Sequence, residues 1–280
     1  MYPRKFDYAA PTTLAEALSA LSGENAKVMA GGMSLIPLLK LRLLSPALVV
    51  DLGRLEGLDS IDDRGDHLAI GALVRHYQTA GAESLPAALR TAAGWTGDVQ
   101  VRNRGTTCGS VAHADLASDQ PGAILALGGT MVAQGPGGTR EIAADDFFVD
   151  AMTTALGADE ILTEIRVPKK EGSSAYDKLG RRGGHTDYAV AGAAAWVAKS
   201  NGAISDCRVA LTGVSTKPTL ATAVAEAVIG TDGSGKAIEA AAAKAADGIP
   251  ILEDLYGTVA YKTHLAQVFT RRALTAALAG

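Results

Sequence analysis

Two glycine-bearing stretches hold the residues best suited to chemistry in this chain of 280 residues. The first is Ala30-Gly31-Gly32-Met33-Ser34-Leu35-Ile36-Pro37. Ala26–Met29 before it reads as a short buried strand. The apolar run Leu35–Leu43 after it, punctuated by Lys40 and Arg42, reads as a helix. Pro37 fits that helix only in the first turn, where its missing N–H costs nothing. Paired glycines accept positive φ and let a ligand approach with no Cβ in the way. Free N–H groups at the positive end of a helix suit a phosphate. A tight turn between strand and helix needs the same glycines. Neither the dinucleotide G-x-G-x-x-G nor the Gly-Lys-Ser/Thr of a P-loop is present, so a phosphate bound here is bound on another fold. The second stretch runs V-R-N-R-G-T-T-C-G-S-V-A-H-A-D from Val101 to Asp115, with Asp119 just beyond. Its centre, Thr106–Ser110, is again rich in N–H groups, and Thr106 and Ser110 add hydroxyl donors. Two such loops could grip a pair of phosphates from opposite sides.

Other reactive side chains form no catalytic set. His113 and Asp115 lack the further ligands that a metal would need. His185 and Asp187 lie on a turn before Tyr188. No Ser-His-Asp order, activated cysteine pair or paired-carboxylate signature stands out. Two cysteines, Cys108 and Cys207, are too few for a zinc or iron–sulfur site of the chain's own. They fit a reducing, cytoplasmic setting better than a disulfide scaffold. With no catalytic residue and no metal site apparent, the pattern is that of a protein whose cofactor does the chemistry.

Together the two glycine stretches resemble the FAD-binding (medium) subunit of the molybdenum hydroxylases, the family of xanthine dehydrogenase and aerobic carbon monoxide dehydrogenase. The family pattern is A-G-G-x-S before a Leu-Ile-Pro helix opening with Lys-Leu-Arg. It continues as V-R-N-x-G-T-x-G-G-S/N ahead of an Ala-Asp/His-x-D run. The resemblance extends from Phe6-Asp7-Tyr8-x-x-Pro11 to the C-terminal helix. It implies noncovalent FAD held between Ala30, Gly31, Gly32, Met33 and Ser34 on one side and Thr106, Thr107, Cys108, Gly109 and Ser110 on the other. It further implies Asp119 at the nucleotide end of the cofactor, Leu162 as a backbone contact beside the adenine, and Lys178 near the flavin ring. Tyr188, in the segment Arg181-Arg182-x-x-x-x-Asp187-Tyr188, would cover a flavin face. Cys108 stands where the family has a glycine, so its φ must be ordinary; its side chain reads as a small buried filler, with a redox-sensitive thiol as the alternative. Asp119 reads equally as the N-cap of a helix opening at Pro121, Lys178 as a solvated lysine, and Tyr188 as a half-buried strand aromatic.

The resemblance also implies partners: a small subunit with two [2Fe–2S] clusters and a large subunit with molybdopterin, assembled as a dimer of heterotrimers. Electrons would pass from molybdenum through the clusters to the flavin and on to an external acceptor. A free-standing FAD-dependent oxidoreductase and a non-catalytic nucleotide-binding module remain alternatives.

A net charge of −4 gives no electrostatic case for nucleic acid. No apolar run is long enough to span a membrane, and no secretory signal is visible after Met1. In chain order, Thr13 and Glu16 form a capping box for a helix through about Leu21. Ala26–Asp51 makes a β-α-β unit, and Leu68–Ala72 reads as a strand. Glu83–Ala93 reads as a helix, with Pro86 in its first turn. A hairpin turns at Gly135-Pro136-Gly137-Gly138, and Glu160–Val167 is a strand stopping at Pro168. Lys169–Ser174 is the linker candidate. Beyond it, two long strands meet at Asn201-Gly202 and helices follow. The expected fold is α+β. Its FAD-binding domain covers 1–170 as two α/β subdomains (about 1–54 and 55–170) of the vanillyl-alcohol-oxidase/PCMH type. An α+β C-terminal domain with an antiparallel sheet and helices covers 171–280.

Overall fold

The computed structural model describes all residues, Met1–Gly280, and the chain adopts the α+β architecture that the pattern predicts. The Thr13–Glu16 capping box forms and opens a helix at Leu14–Leu21. That helix buries Ala17 and Leu21 against Ala26, Val50 and Leu52. Beneath it lies a parallel sheet in the order Asp7–Ala9, Leu48–Asp51, Ala26–Met29. The short helix Leu35–Lys40, with Pro37 in its first turn, is the crossover between the last two.

The second sheet is antiparallel, in the order Ile61–Asp63, His67–Gly71, Ile161–Pro168, Thr130–Gly135, Gly138–Ala143. Between His67–Gly71 and Thr130–Gly135 the chain makes an excursion of five helices. The helix expected from Glu83 begins instead at Ala87, with Pro86 as its N-cap. Proline steers the residue before it away from helical backbone, and Leu85 closes a separate turn onto Ala82. The helix His76–Gly81 had no signal in the sequence: it is six residues long and lacks an apolar period.

The third sheet, also antiparallel, runs Ser173–Gly180, Ala189–Ser200, Ala203–Thr212, Thr219–Leu220. Asn201 and Gly202 both take positive φ, 53° and 82°, as a two-residue hairpin requires. The linker is shorter than expected, because Ser173 already pairs with Val197. The strand Ala189–Ser200 is a wall shared by two cores. Ala191, Ala193, Ala195 and Val197 face the C-terminal helices, including Val259–Ala279. Ala194 and Trp196 face the core that holds Leu89 and Ile124 of the excursion helices Ala87–Gly94 and Asp119–Leu127. Period-two alternation does this with alanine on both sides, so helices approach closely from either face. Gly122 shows how closely: a Cβ there would lie 2.2 Å from Thr212 Oγ1. No helix is long and apolar enough to cross a membrane.

The wall leaves no room for larger side chains. Ala194→Leu is expected to destabilise the chain by about 1–3 kcal/mol through overpacking, read as a lower urea midpoint. An unchanged midpoint would mean that this face of the strand is loosely packed.

Candidate functional site

The first glycine stretch leaves the strand Ala26–Met29 and enters the helix Leu35–Lys40. Its two glycines answer different needs. Gly32 turns the chain at φ +74°, a region that β-carbon-bearing residues rarely enter. Gly31 makes space: a Cβ on it would lie 2.1 Å from Arg104 O and 2.7 Å from Gly105 Cα. The two stretches predicted from sequence are therefore pressed backbone to backbone. A Cβ on Gly109 would likewise meet Thr106 Oγ1 at 2.6 Å and Ala30 Cβ at 4.0 Å. None of the chain's backbone hydrogen bonds has Ala30, Gly31, Gly32, Met33 or Ser34 as donor. Five successive N–H groups are thus left free beside the second stretch.

That second stretch is the first turn of a helix, Thr107–His113, rather than a loop. Thr106 is its N-cap, its Oγ1 accepting from Gly109 N–H at 3.1 Å. Thr107 N–H bonds Val74 O at 3.0 Å, and the Thr107 hydroxyl pairs with that of Thr79 at 2.7 Å in the interior. Ser110 N–H bonds Thr106 O. This turn therefore offers fewer free donors than the first stretch, and the Thr106 and Ser110 hydroxyls are its polar contribution. Cys108 has ordinary φ. Its Sγ points into the core toward Ile70 O at 3.4 Å, and burial pushes its thiol pKa well up. The cysteine is tolerated because its side chain leaves on the side away from the first stretch.

Asp119 and Lys178 meet behind this pair of turns. Asp119 is the first residue of the helix Asp119–Leu127, whose N-cap is Ser118, so capping does not explain it. Its carboxylate accepts from Lys178 Nζ at 2.6 Å and from Tyr176 Oη at 2.6 Å. The Lys178 side chain is 0% exposed, and it also donates to Asp187 O at 2.6 Å and Trp95 O at 3.3 Å. This lysine is not a solvated one. Burial pushes the Asp119 pKa up to about 6, with the Lys178 ammonium and the Tyr176 hydroxyl pulling the other way. Gly192, paired with Lys178 across the sheet, makes room for both donors. A Cβ there would lie 2.9 Å from Lys178 Cβ and 2.9 Å from Tyr176 Oη.

The network continues through residues that sequence reasoning missed. Gln120 is fully buried and donates to Thr96 Oγ1 and His76 Nδ1, each at 3.0 Å. His76 packs against Gly105 of the second stretch. Its pKa falls to about 4 through burial, so the ring is neutral at pH 7. The available signal was the adjacent polar pair Asp119-Gln120 opening a helix that is buried along its whole length.

Leu162 is buried opposite Ala133. The ladder to His67–Gly71 ends at Glu164–Gly71, so Leu162 has a strand neighbour on one side only. Tyr188 is 40% exposed, and its hydroxyl faces Ser34 of the first stretch. His113 closes its helix and Asp115 accepts from Ala117 N–H at 2.9 Å, both structural tasks. His185 stacks on Trp95, with centroids 3.7 Å apart and planes 10° off parallel. The structure therefore groups Ala30–Ser34, Thr106–Ser110 and Tyr188. It sets Asp119 with Lys178 in the interior behind them, and it holds Leu162 in the second sheet.

This fold, with two apposed glycine turns at strand and helix ends, belongs to a class of flavin-binding proteins. Residues 4–170 match the FAD binding domain in molybdopterin dehydrogenase, and residues 174–277 the CO dehydrogenase flavoprotein C-terminal domain. The chain belongs to the family of FAD-binding medium subunits of the molybdenum hydroxylases. It is 36% identical to the nicotine 6-hydroxylase medium subunit of Paenarthrobacter nicotinovorans over 96% of each chain. It is 37% identical to the carbon monoxide dehydrogenase medium chain of Hydrogenophaga pseudoflava, over 100% of this chain and 99% of that one. Among solved structures, carbon monoxide dehydrogenase from Hydrogenophaga pseudoflava superposes with a TM-score of 0.94 at 38% identity, covering 100% of this chain and 99% of that one. Quinoline 2-oxidoreductase from Pseudomonas putida 86 gives 0.93 at 30% identity with the same coverage.

Asp119→Asn strands a buried ammonium and is expected to cost about 3 kcal/mol of stability. Adding Lys178→Met should recover part of it. Urea unfolding of the three proteins measures both steps, and a single variant as stable as the wild type would show that the pair contributes nothing.

Proposed function

We propose that the chain holds one noncovalent FAD between Ala30–Ser34 and Thr106–Ser110. We further propose that it passes electrons from the [2Fe–2S] clusters of a small partner subunit to an external acceptor, in a complex whose large subunit carries the molybdopterin. The observation that carries this reading is the run of five undirected backbone N–H groups at Ala30–Ser34, at a place where a Cβ on Gly31 could not fit. Successive main-chain donors at a turn form a concavity for an anion, and a diphosphate is the anion that two apposed turns would share. The residues present therefore fit the cofactor. Flavin, when bound, supplies the one- and two-electron exchange that no side chain here supplies.

The chain's own residues orient and enclose. Gly31 seats the first turn on the second and Gly32 bends it, so that the free N–H groups of Ala30–Ser34 can face the phosphates, while Thr106 and Ser110 add hydroxyl donors. Tyr188, facing Ser34, covers a flavin face. Asp119 and Lys178, joined at 2.6 Å, cannot stand at opposite ends of one FAD as the resemblance implied. They act as one buried pair behind the turns, which fixes the turn Arg181–Asp187 through the Asp187 carbonyl. Leu162 offers its backbone beside the adenine. We take 1–170, with subdomains about 1–54 and 55–170, as the FAD-binding domain and 171–280 as the C-terminal domain. The breaks between the three larger sheets support this division. The names of the relatives, which are medium chains and subunits, support a complex with a smaller and a larger subunit, which we take to assemble as a dimer of heterotrimers. The unpaired thiols of Cys108 and Cys207 support a cytoplasmic setting.

Acid precipitation of the purified chain should release all of its flavin, and Gly32→Val should abolish FAD uptake while the circular dichroism of the fold persists. Valine resists φ +74°, and a Cβ there already lies 2.8 Å from Ile36 Cδ1. Full occupancy in that variant would reduce the stretch to a plain turn.

The isolated flavoprotein should be reduced by dithionite yet be inert toward the substrate of the complex, and the two other subunits should restore electron flow. Oxidation of that substrate by the chain alone would replace this reading with a free-standing flavoenzyme.

A further inference from the structure

The turn that ends at Tyr188 starts at Arg181, whose N–H bonds Tyr188 O at 2.9 Å. The Arg181 guanidinium carbon lies 4.4 Å from the Tyr256 ring centroid and 5.2 Å from that of Tyr188. The cation is thus held between two tyrosines. Its Nε is buried with no acceptor, so ring faces, not a carboxylate, hold that edge. Its neighbour Arg182 behaves differently: its side chain is 79% exposed and bonds Asp187 at 2.8 Å.

Tyr256 is itself anchored. It sits on the turn Asp254–Gly257, where Asp254 accepts from Tyr256 N–H at 2.8 Å and from Lys262 Nζ at 2.6 Å. Lys262, on the C-terminal helix, is 1% exposed and also donates to Gly213 O at 2.9 Å. At the other end of the stack the Tyr188 hydroxyl faces Ser34. A line of contacts therefore runs from the C-terminal helix through Tyr256 and Arg181 to Tyr188, which lies beside Ser34 of the first glycine stretch. A cation over a tyrosine face contributes roughly 0.5–2 kcal/mol, more when desolvated.

We propose that Arg181, clamped between Tyr188 and Tyr256, is a positioning residue for the flavin: it fixes the Tyr188 ring beside Ala30–Ser34 and brings a positive charge to that end of the site. The inference rests on the FAD reading above. Reduction adds negative charge to a flavin, so a fixed cation nearby raises its potential, and charge near the ring is one of the ways a protein tunes it.

The test uses the full chain loaded with FAD, as wild type, Arg181→Met, Arg181→Lys, Tyr256→Ala and Tyr256→Phe. Arg181→Met should still take up FAD, with affinity weakened up to about tenfold, or about 1.4 kcal/mol. Its flavin visible band should shift and its midpoint potential should fall. Arg181→Lys should recover most of the potential. Tyr256→Ala should shift the band and speed nitration of Tyr188 by tetranitromethane, while Tyr256→Phe, which keeps the ring, should match the wild type. FAD-loaded Arg181→Met with wild-type band and potential overturns the proposal, as does a Tyr256→Phe change equal to that of Tyr256→Ala. A wild-type chain that takes up no FAD overturns the FAD reading and this proposal together.

Discussion

A carboxylate and an ammonium with almost no access to water tie this molecule together. Asp119 belongs to the helical excursion of the second sheet, and Lys178 to the first strand of the third. Burying two charges costs several kcal/mol each, and their attraction offsets this only if the remaining hydrogen-bonding positions are also filled. Here they are filled, by Tyr176, by the Trp95 carbonyl and by the Asp187 carbonyl. Each partner comes from a different segment. The helix, the strand and the turn before Tyr188 must therefore be in place together for any of them to be satisfied.

The glycine turns depend on that arrangement at one remove. Gly31 rests on the backbone of Arg104 and Gly105, and Gly105 rests on His76, whose ring is held by Gln120. Gln120 is the next residue after Asp119. The two turns touch backbone to backbone, and that contact is backed through Gly105 and His76 by the Gln120 hydrogen bond, one residue away from the ion pair. A polar network of this sort specifies geometry because a shift at one member leaves another unsatisfied.

Much of this was legible in the residues. The capping box at Thr13, the β-α-β unit, the Gly-Pro-Gly-Gly and Asn-Gly hairpins and the long C-terminal helix each carry local signals, and each formed where those signals lay. The two glycine stretches stood out by their residue types, and the structure brings them into contact. What was not legible is non-local. Lys178 looks like any strand lysine until Gly192 is known to face it. Thr107 looks like a ligand donor until Thr79 is found beside it. Pro86 was placed one turn too deep because only the turn closed by Leu85 shows where the helix begins. His76 and Gln120 carry no motif at all.

The alanine wall Ala189–Ser200 gives the sequence boundary near residue 170 a particular meaning. One of its faces completes the core that contains Leu89 and Ile124, and the other completes the core under the C-terminal helix. During synthesis the first 170 residues leave the ribosome before that strand exists, so the apolar side of their helices waits uncovered. A cut at the linker would leave the core under the C-terminal helix whole, but would strip Tyr176, Ala194, Trp196 and Ala210 from the first core and expose the face they cover.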